Sequence, residues 1–227
     1  MVIDKIKTYP NWGVLFDLDG VLIDSEGAYT EFWHQIDRHY ITGVKDFEYV
    51  IKGNTLGNIL KTYFPDYKIQ NEIKKALFQF EDVMDYTLFE GVEELLESLY
   101  NAGIRSAIVT SSNKKKMKRL LSQLPCLKNL IAEIITEDDI SLPKPHPEAY
   151  IKGAERLNID SKRCIVFEDS VAGVQAGSRS GAYVIGITTT NPASVLEPFS
   201  DKLISSIKEI NLAILQNIFA DGPTLPL

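Results

Sequence analysis

The sequence predicts an α/β fold, in which a doubly wound parallel-sheet core carries an inserted all-helical cap. Three observations lead there. The mainly apolar runs Ile104 to Val109, Leu130 to Ile135, Cys164 to Phe167 and Tyr183 to Ile187 are near-continuous rather than alternating, interrupted only by Arg105, Ser106 and Glu133, as befits strands buried on both faces. Helix-period stretches separate these runs, and that alternation builds a parallel sheet flanked by helices. Between Ser25 and Phe89 there is no strand pattern, only helical spacing. The expected division is a core of residues 1–24 and 90–227 with a cap at 25–89.

The first strand is Val14-Leu15-Phe16, and it runs into Asp17-Leu18-Asp19-Gly20. Side chains alternate on an extended backbone, so Asp17 and Asp19 are expected to point the same way at the strand's end. Like charges that close repel and raise one another's pKa unless a cation neutralises them. Such a pair implies a hard divalent metal, or two carboxylates with different tasks. Gly20 lets the backbone turn away and leaves the strand end open.

Ser25 is placed to cap a helix whose Tyr29, Phe32, Trp33, Ile36 and Tyr40 share a face, with Gly43 ending it. A second helix is expected over about 54–64, before Pro65, and a third over 69–86. In the core, Val92, Leu95, Leu96 and Leu99 form a helical stripe that Asn101-Ala102-Gly103 stops. The strand ending at Val109 opens into Thr110-Ser111-Ser112-Asn113. Lys114-Lys115-Lys116, Lys118 and Arg119 read as the wet face of the next helix, opposite Met117, Leu120, Leu121 and Leu124. Lys144 lies between Pro143 and Pro145, which stiffen its loop, and His146 and Pro147 open a helix reaching about Leu157. Glu168-Asp169 ends the strand that Cys164 begins, and a helix follows from Ser170 to Ser180, with Gly173 and Gly177 suited to close packing. Asp17, Thr110 and Asp169 all fall just after expected strands, and Lys144 lies in a loop that follows one. Open parallel sheets bind ligands beyond those ends, so a single site is expected.

Composition excludes several classes. With 24 basic and 31 acidic residues the net charge is −7, which repels nucleic acid. No run approaches membrane-spanning length, and residues 1–10 lack a signal-peptide core. Cys126 and Cys164, the only two cysteines, have no metal-ligand spacing. Cys164 reads as a buried free thiol, and a reducing, cytoplasmic setting follows. The expected protein is a soluble monomer, with residues 221–227 a loose tail.

Four stretches carry a resemblance. Phe16-Asp17-Leu18-Asp19-Gly20-Val21-Leu22-Ile23-Asp24-Ser25 resembles the first motif of the haloacid dehalogenase superfamily of phosphoryl-transfer enzymes, in the branch of small phosphatases and β-phosphoglucomutase. Thr110 matches the second motif's hydroxyl, Lys144-Pro145-His146-Pro147-Glu148-Ala149-Tyr150 the third, and Phe167-Glu168-Asp169-Ser170 followed by Ala172-Gly173-Val174-Gln175-Ala176-Gly177 the fourth. Read without the family, Thr110 and Glu168-Asp169 could as well cap the helices that follow them.

The resemblance implies Asp17 as a nucleophile that forms an aspartyl-phosphate, and Asp19 as general acid and base. It implies Mg²⁺ held by the Asp17 side chain, the backbone carbonyl of Asp19 and Asp169, with Glu168 in or near its shell. An all-oxygen donor set suits that ion. Thr110, with Ser111 as the neighbouring holder, and Lys144 would bind the phosphoryl oxygens. The cap loop Gly53-Asn54-Thr55 would choose the substrate, a small phosphorylated metabolite such as a sugar or polyol phosphate. β-Phosphoglucomutase-like sequences carry a histidine where this chain has Tyr29, and mutases place an arginine where it has Leu56. A phosphatase is therefore expected. A sugar-phosphate mutase is the runner-up, and a non-catalytic phosphometabolite-binding protein is a third reading.

Overall fold

The computed structural model describes residues 10–51 and 56–220. In chain order the elements are β1 (Gly13–Phe16), α1 (Glu26–Tyr40), α2 (Phe47–Val50), α3 (Leu56–Tyr63), α4 (Tyr67–Val83), α5 (Val92–Asn101), β2 (Arg105–Val109), α6 (Lys114–Gln123), α7 (Pro125–Leu130) and β3 (Glu133–Ile135). They continue with α8 (Glu148–Arg156), β4 (Cys164–Glu168), α9 (Val171–Ser180), β5 (Tyr183–Ile187), α10 (Ala193–Leu196), β6 (Lys202–Ile204) and α11 (Leu212–Ala220).

The strands form one sheet in the order β3-β2-β1-β4-β5-β6, with every neighbouring pair parallel. β1 is central because its four residues, Gly13–Phe16, are all buried. Its alternation splits the core in two. Val14 and Phe16 join Ile108, Ile165, Phe167 and Ile185 on one face, while Leu15 joins Ala107, Val109, Val166 and Val184 on the other. Phe16 stacks on Phe167 at 5.0 Å between ring centres, and truncating buried aromatics of this kind costs about 3–5 kcal/mol. Register then places the chemistry. Phe16 lies beside both Ile108 and Phe167, so the residues following β1, β2 and β4 emerge at one end of the sheet.

Helices α1 to α4 contribute nothing to the sheet and gather a cluster of their own, including Phe32, Trp33, Phe47, Leu60 and Ile73. The chain enters and leaves this layer side by side: Asp24 N donates to Thr87 O at 2.9 Å, and Phe89 N to Leu22 O at 3.0 Å.

Several expectations need correction: the third helix stops at Val83, with Met84 extended, rather than reaching 86, and α10 and α11 were not foreseen. Leu130 belongs to α7, which Pro125 opens and buried Leu127 seats, so β3 is confined to Glu133–Ile135. α1 ends in the left-handed residue Ile41 (φ 52°) rather than at Gly43. The short α2 went unread, because a single turn carries no periodicity. So did β6, three residues at the sheet's edge and only partly buried. Gly53, Asn54, Thr55 and the 221–227 tail lie outside the described residues. No helix among the described residues is long and apolar enough to cross a membrane.

Candidate active site

Asp17 follows β1, its amide donating to Phe167 O at 3.0 Å and so extending the sheet by one bond. Lys144, buried to 9% exposure, reaches it from the loop before α8. The ammonium lies 2.6 Å from Asp17 Oδ1 and 2.6 Å from Glu168 Oε1, and donates at 3.0 Å each to Val109 O and Tyr150 Oη.

Glu168 ends β4 with both oxygens engaged. Tyr150 Oη donates to Oε1 at 2.7 Å beside Lys144. The Asp169 and Ser170 amides and Ser170 Oγ donate to Oε2 at 3.0–3.1 Å. Ser170 Oγ also accepts from Gly173 N at 3.0 Å, capping α9. A Cβ at Gly173 would sit 1.8 Å from Glu168 Cδ, so this glycine is reserved for the carboxylate rather than for helix packing. Gly20 has φ +80°, and a Cβ there would fall 2.0 Å from Asp169 Oδ2.

Buried Asp17, Glu168 and Asp169 bring ligand oxygens within 4.8 Å of one another. Among the described residues only Lys144 pairs with this cluster, through Asp17 and Glu168, and no basic side chain forms an ion pair with Asp169. The protonation behaviour reflects the imbalance. Burial, with Glu168 and Asp19 adding, pushes the Asp17 carboxyl up to about 7 against the pull of Lys144. Burial, then Glu168 and Asp17, raise Asp169 well above the ordinary carboxylate range. Lys144 moves up because its two carboxylates outweigh its burial. Oxygen donors of excess negative charge, with no His or Cys among them, fit a hard divalent cation.

A measurable consequence follows. A carboxyl whose folded pKa exceeds its unfolded value holds a proton that the unfolded chain has lost, so its contribution falls as pH rises between the two values. For Asp17 that window runs from about 3.8 to about 7. The metal-free protein is expected to melt at progressively lower temperature as pH rises from about 5 to about 8. Mg²⁺ is expected to flatten this slope. A metal-free melting temperature that climbs with pH across the window would contradict the charge excess.

Asp19 is organised separately. Its side chain lies outside the three-carboxylate cluster. It accepts from Ser25 Oγ at 2.7 Å, Ser112 Oγ at 3.1 Å and Lys116 Nζ at 2.8 and 2.7 Å on its two oxygens. Burial alone would raise its pKa, but the Lys116 charge and these hydrogen bonds outweigh it and lower the carboxyl below its ordinary value. Ser25 therefore makes no side-chain cap on α1; its hydroxyl is drawn to Asp19 instead. Lys116 does not belong to a wet face, being 6% exposed.

Thr110 is buried, its amide donating to Ile135 O at 2.9 Å and its Oγ1 accepting from Ser112 N at 3.0 Å, which curls the loop after β2. Ser111 is exposed beside it. His146 Nδ1 accepts from Glu148 N at 3.2 Å, a helix-start role.

Sequence reasoning missed Tyr150, Ser112 and Lys116. The first and last had a signal. Tyr150 precedes buried Gly153, Ala154 and Leu157 at three, four and seven residues, and Lys116 lies four before buried Leu120, so each occupies the inward phase of its helix. Ser112 had none, because loop contacts follow no period.

The chain has relatives among known proteins. Over 206 residues it is 32% identical to validoxylamine A 7'-phosphate phosphatase of Streptomyces hygroscopicus subsp. limoneus, covering 86% of this chain and 94% of that one. It is 28% identical to hexitol phosphatase A of Escherichia coli, over 88% and 93% of the two chains. A solved HAD family hydrolase from Deinococcus radiodurans, with bound phosphate and sodium, superposes with a TM-score of 0.71 at 26% identity, over 91% of this chain and 96% of that one. The sequence pattern of the haloacid dehalogenase-like hydrolases matches residues 14–187, which take in β1 from Val14 through β5, the helical layer and every carboxylate described above, and the chain belongs to that family.

Proposed function

We propose that the protein is a Mg²⁺-dependent phosphatase that hydrolyses a small phosphorylated metabolite, a sugar or polyol phosphate, through an aspartyl-phosphate on Asp17. The observation that carries this reading is the buried Asp17–Lys144 pair at 2.6 Å beside Glu168 and Asp169. The names of two relatives, a validoxylamine phosphate phosphatase and a hexitol phosphatase, support the substrate class. We place residues 25–89 as the cap over this sheet end, acting in the cytoplasm.

Asp17 Oδ attacks phosphorus, a new O–P bond forms, and the bond to the leaving oxygen breaks. Asp19, ionised beside Lys116 in the resting site, must first take up a proton from solvent to give to that oxygen, and then takes one from the water that cleaves the acyl phosphate. Lys144 stabilises charge on the phosphoryl oxygens as a fixed point charge. The Thr110–Ser111 loop offers the Thr110 hydroxyl and the Ser111 amide to the same oxygens, the Thr110 and Ser112 amides being engaged within the fold. Asp17 and Asp169 are the side chains that would hold Mg²⁺, with the backbone carbonyl of Asp19. Glu168, with five donors on its two oxygens, is fitted to orient Lys144 and the Asp169 turn rather than to bind the ion directly. When bound, the ion would neutralise the carboxylates and polarise the phosphoryl group.

Purified protein is expected to release phosphate from sugar or polyol monophosphates with Mg²⁺, to stop in EDTA, and to work poorly with Ca²⁺, whose larger and looser shell fits badly. Full turnover in EDTA would refute the metal assignment. Conversion of β-glucose 1-phosphate to glucose 6-phosphate without released phosphate would refute the hydrolase reading.

A further inference from the structure

Lys116 is a lysine that the proposed chemistry does not use, yet it is among the most buried charges in the molecule, its side chain 4% exposed. Its ammonium has three protons and three acceptors: Asp19 Oδ1 at 2.8 Å, Asp19 Oδ2 at 2.7 Å and Tyr29 Oη at 2.9 Å. Tyr29 in turn donates to Glu81 Oε1 at 2.8 Å. The donors and acceptors run in one consistent direction, from Lys116 on α6 through Tyr29 on α1 to Glu81 on α4. Tyr29 is fixed by its ring as well, edge-on to Phe80 at 5.7 Å. The carboxylate beside the reaction centre is thus tied to two helices of the inserted layer through one lysine.

We propose that Lys116 is a positioning residue for Asp19, and that Tyr29 and Glu81 anchor it from the helical layer, so that the seating of that layer governs how well Asp19 serves the leaving oxygen. This rests on the assignment of Asp19 as the group that handles that proton. The two-toothed grip on Asp19 fixes its carboxylate plane, while Ser25 and Ser112 fix its depth. A misplacement of about 1 Å in such a group costs about 10²-fold in rate. Nothing in the arrangement requires Lys116 to touch the phosphoryl group, which Lys144 and the Thr110 loop would hold.

The test compares kcat/KM for an alkyl phosphate, whose leaving oxygen needs a proton, with that for 4-nitrophenyl phosphate, whose leaving group does not. Lys116→Met is expected to lower kcat/KM about 10²-fold on the alkyl ester and much less on the aryl ester, with inhibition by inorganic phosphate unchanged. Tyr29→Phe keeps the ring against Phe80 and removes only the hydroxyl, with an expected loss of about 3–10-fold on the alkyl ester. The double variant is expected to be no worse than Lys116→Met alone. Lys115→Ala, which breaks the neighbouring exposed pair with Asp82, is the control and is expected to leave both substrates unaffected. Equal losses on the two esters would make Lys116 merely structural and overturn the proposal. A parallel weakening of phosphate inhibition would make it a phosphate ligand and overturn it too, as would additive effects of the two substitutions. Asp19→Ala separates the two levels. If it shows the leaving-group dependence and Lys116→Met does not, this inference fails and the phosphatase reading stands. If Asp19→Ala itself lacks the dependence, the acid–base assignment fails, and the inference with it.

Discussion

Asp17→Asn is expected to remove about 10⁴-fold or more of the phosphatase rate, because an amide oxygen cannot serve as the anionic nucleophile and the covalent route closes. The substitution is nearly isosteric and relieves a carboxyl that burial already pushes up to about 7. The variant is therefore expected to fold, and to melt at or above the temperature of the native protein near neutral pH. Asp19→Ala is expected to behave differently, keeping the nucleophile and losing about 10²–10⁴-fold through proton transfer alone. Acid quenching during turnover, followed by mass measurement of the Asp17 peptide, reads the difference directly. A phosphoryl group covalently bound in the Asp17→Asn variant would place the nucleophile elsewhere.

Lys144→Met is expected to damage both activity and stability. Removing one partner of a buried ion pair costs about 3–5 kcal/mol, because the remaining charge stays desolvated and unpaired. Here two carboxylates, Asp17 and Glu168, lose their partner at 2.6 Å each. Tyr150 Oη also loses a donor. Turnover is expected to fall by about 10²–10³-fold, the scale of losing one preorganised group that stabilises transition-state charge. The fall in melting temperature is expected to shrink at low pH, where Asp17 and Asp169 take up protons, and to shrink again with Mg²⁺. Lys144→Arg is expected to rescue stability better than activity, since a planar fork cannot reproduce a point charge in that space. Native-like turnover in Lys144→Met would remove this lysine from the site.

How much of this was legible beforehand depended on what each feature is made of. The central strands were legible because burial on both faces leaves a continuous apolar run, and the register of β1 between β2 and β4 then placed Asp17, Thr110 and Glu168-Asp169 at one end. β6 was not, because three half-covered residues at a sheet edge carry no such run. Lys144 was singled out because Lys144-Pro145-His146-Pro147 resembles a family motif, the flanking prolines only adding a stiff loop. Lys116 was not, although its helical phase pointed inward, because three successive lysines read as a solvated face and only tertiary contact shows that one of them meets Asp19. Ser25 misled for a related reason. Its position suited a helix cap, and a competing acceptor outside the helix took its hydroxyl.

The helical layer hangs from the sheet by two adjacent lengths of backbone, joined where Asp24 meets Thr87 and where Phe89 meets Leu22. These form a stalk. Asp17, Glu168, Asp169 and Lys144 all lie on the sheet's side of it, held by β1, β4 and the loop before α8. A tilt of the layer about the stalk leaves the spacing of those four groups unaltered. What it moves is Tyr29 and Glu81, and through them the far end of the Lys116 tether. The charge cluster is thus held from the sheet's side alone, whereas Asp19 is gripped by Lys116, which answers to Tyr29 and Glu81 across the stalk.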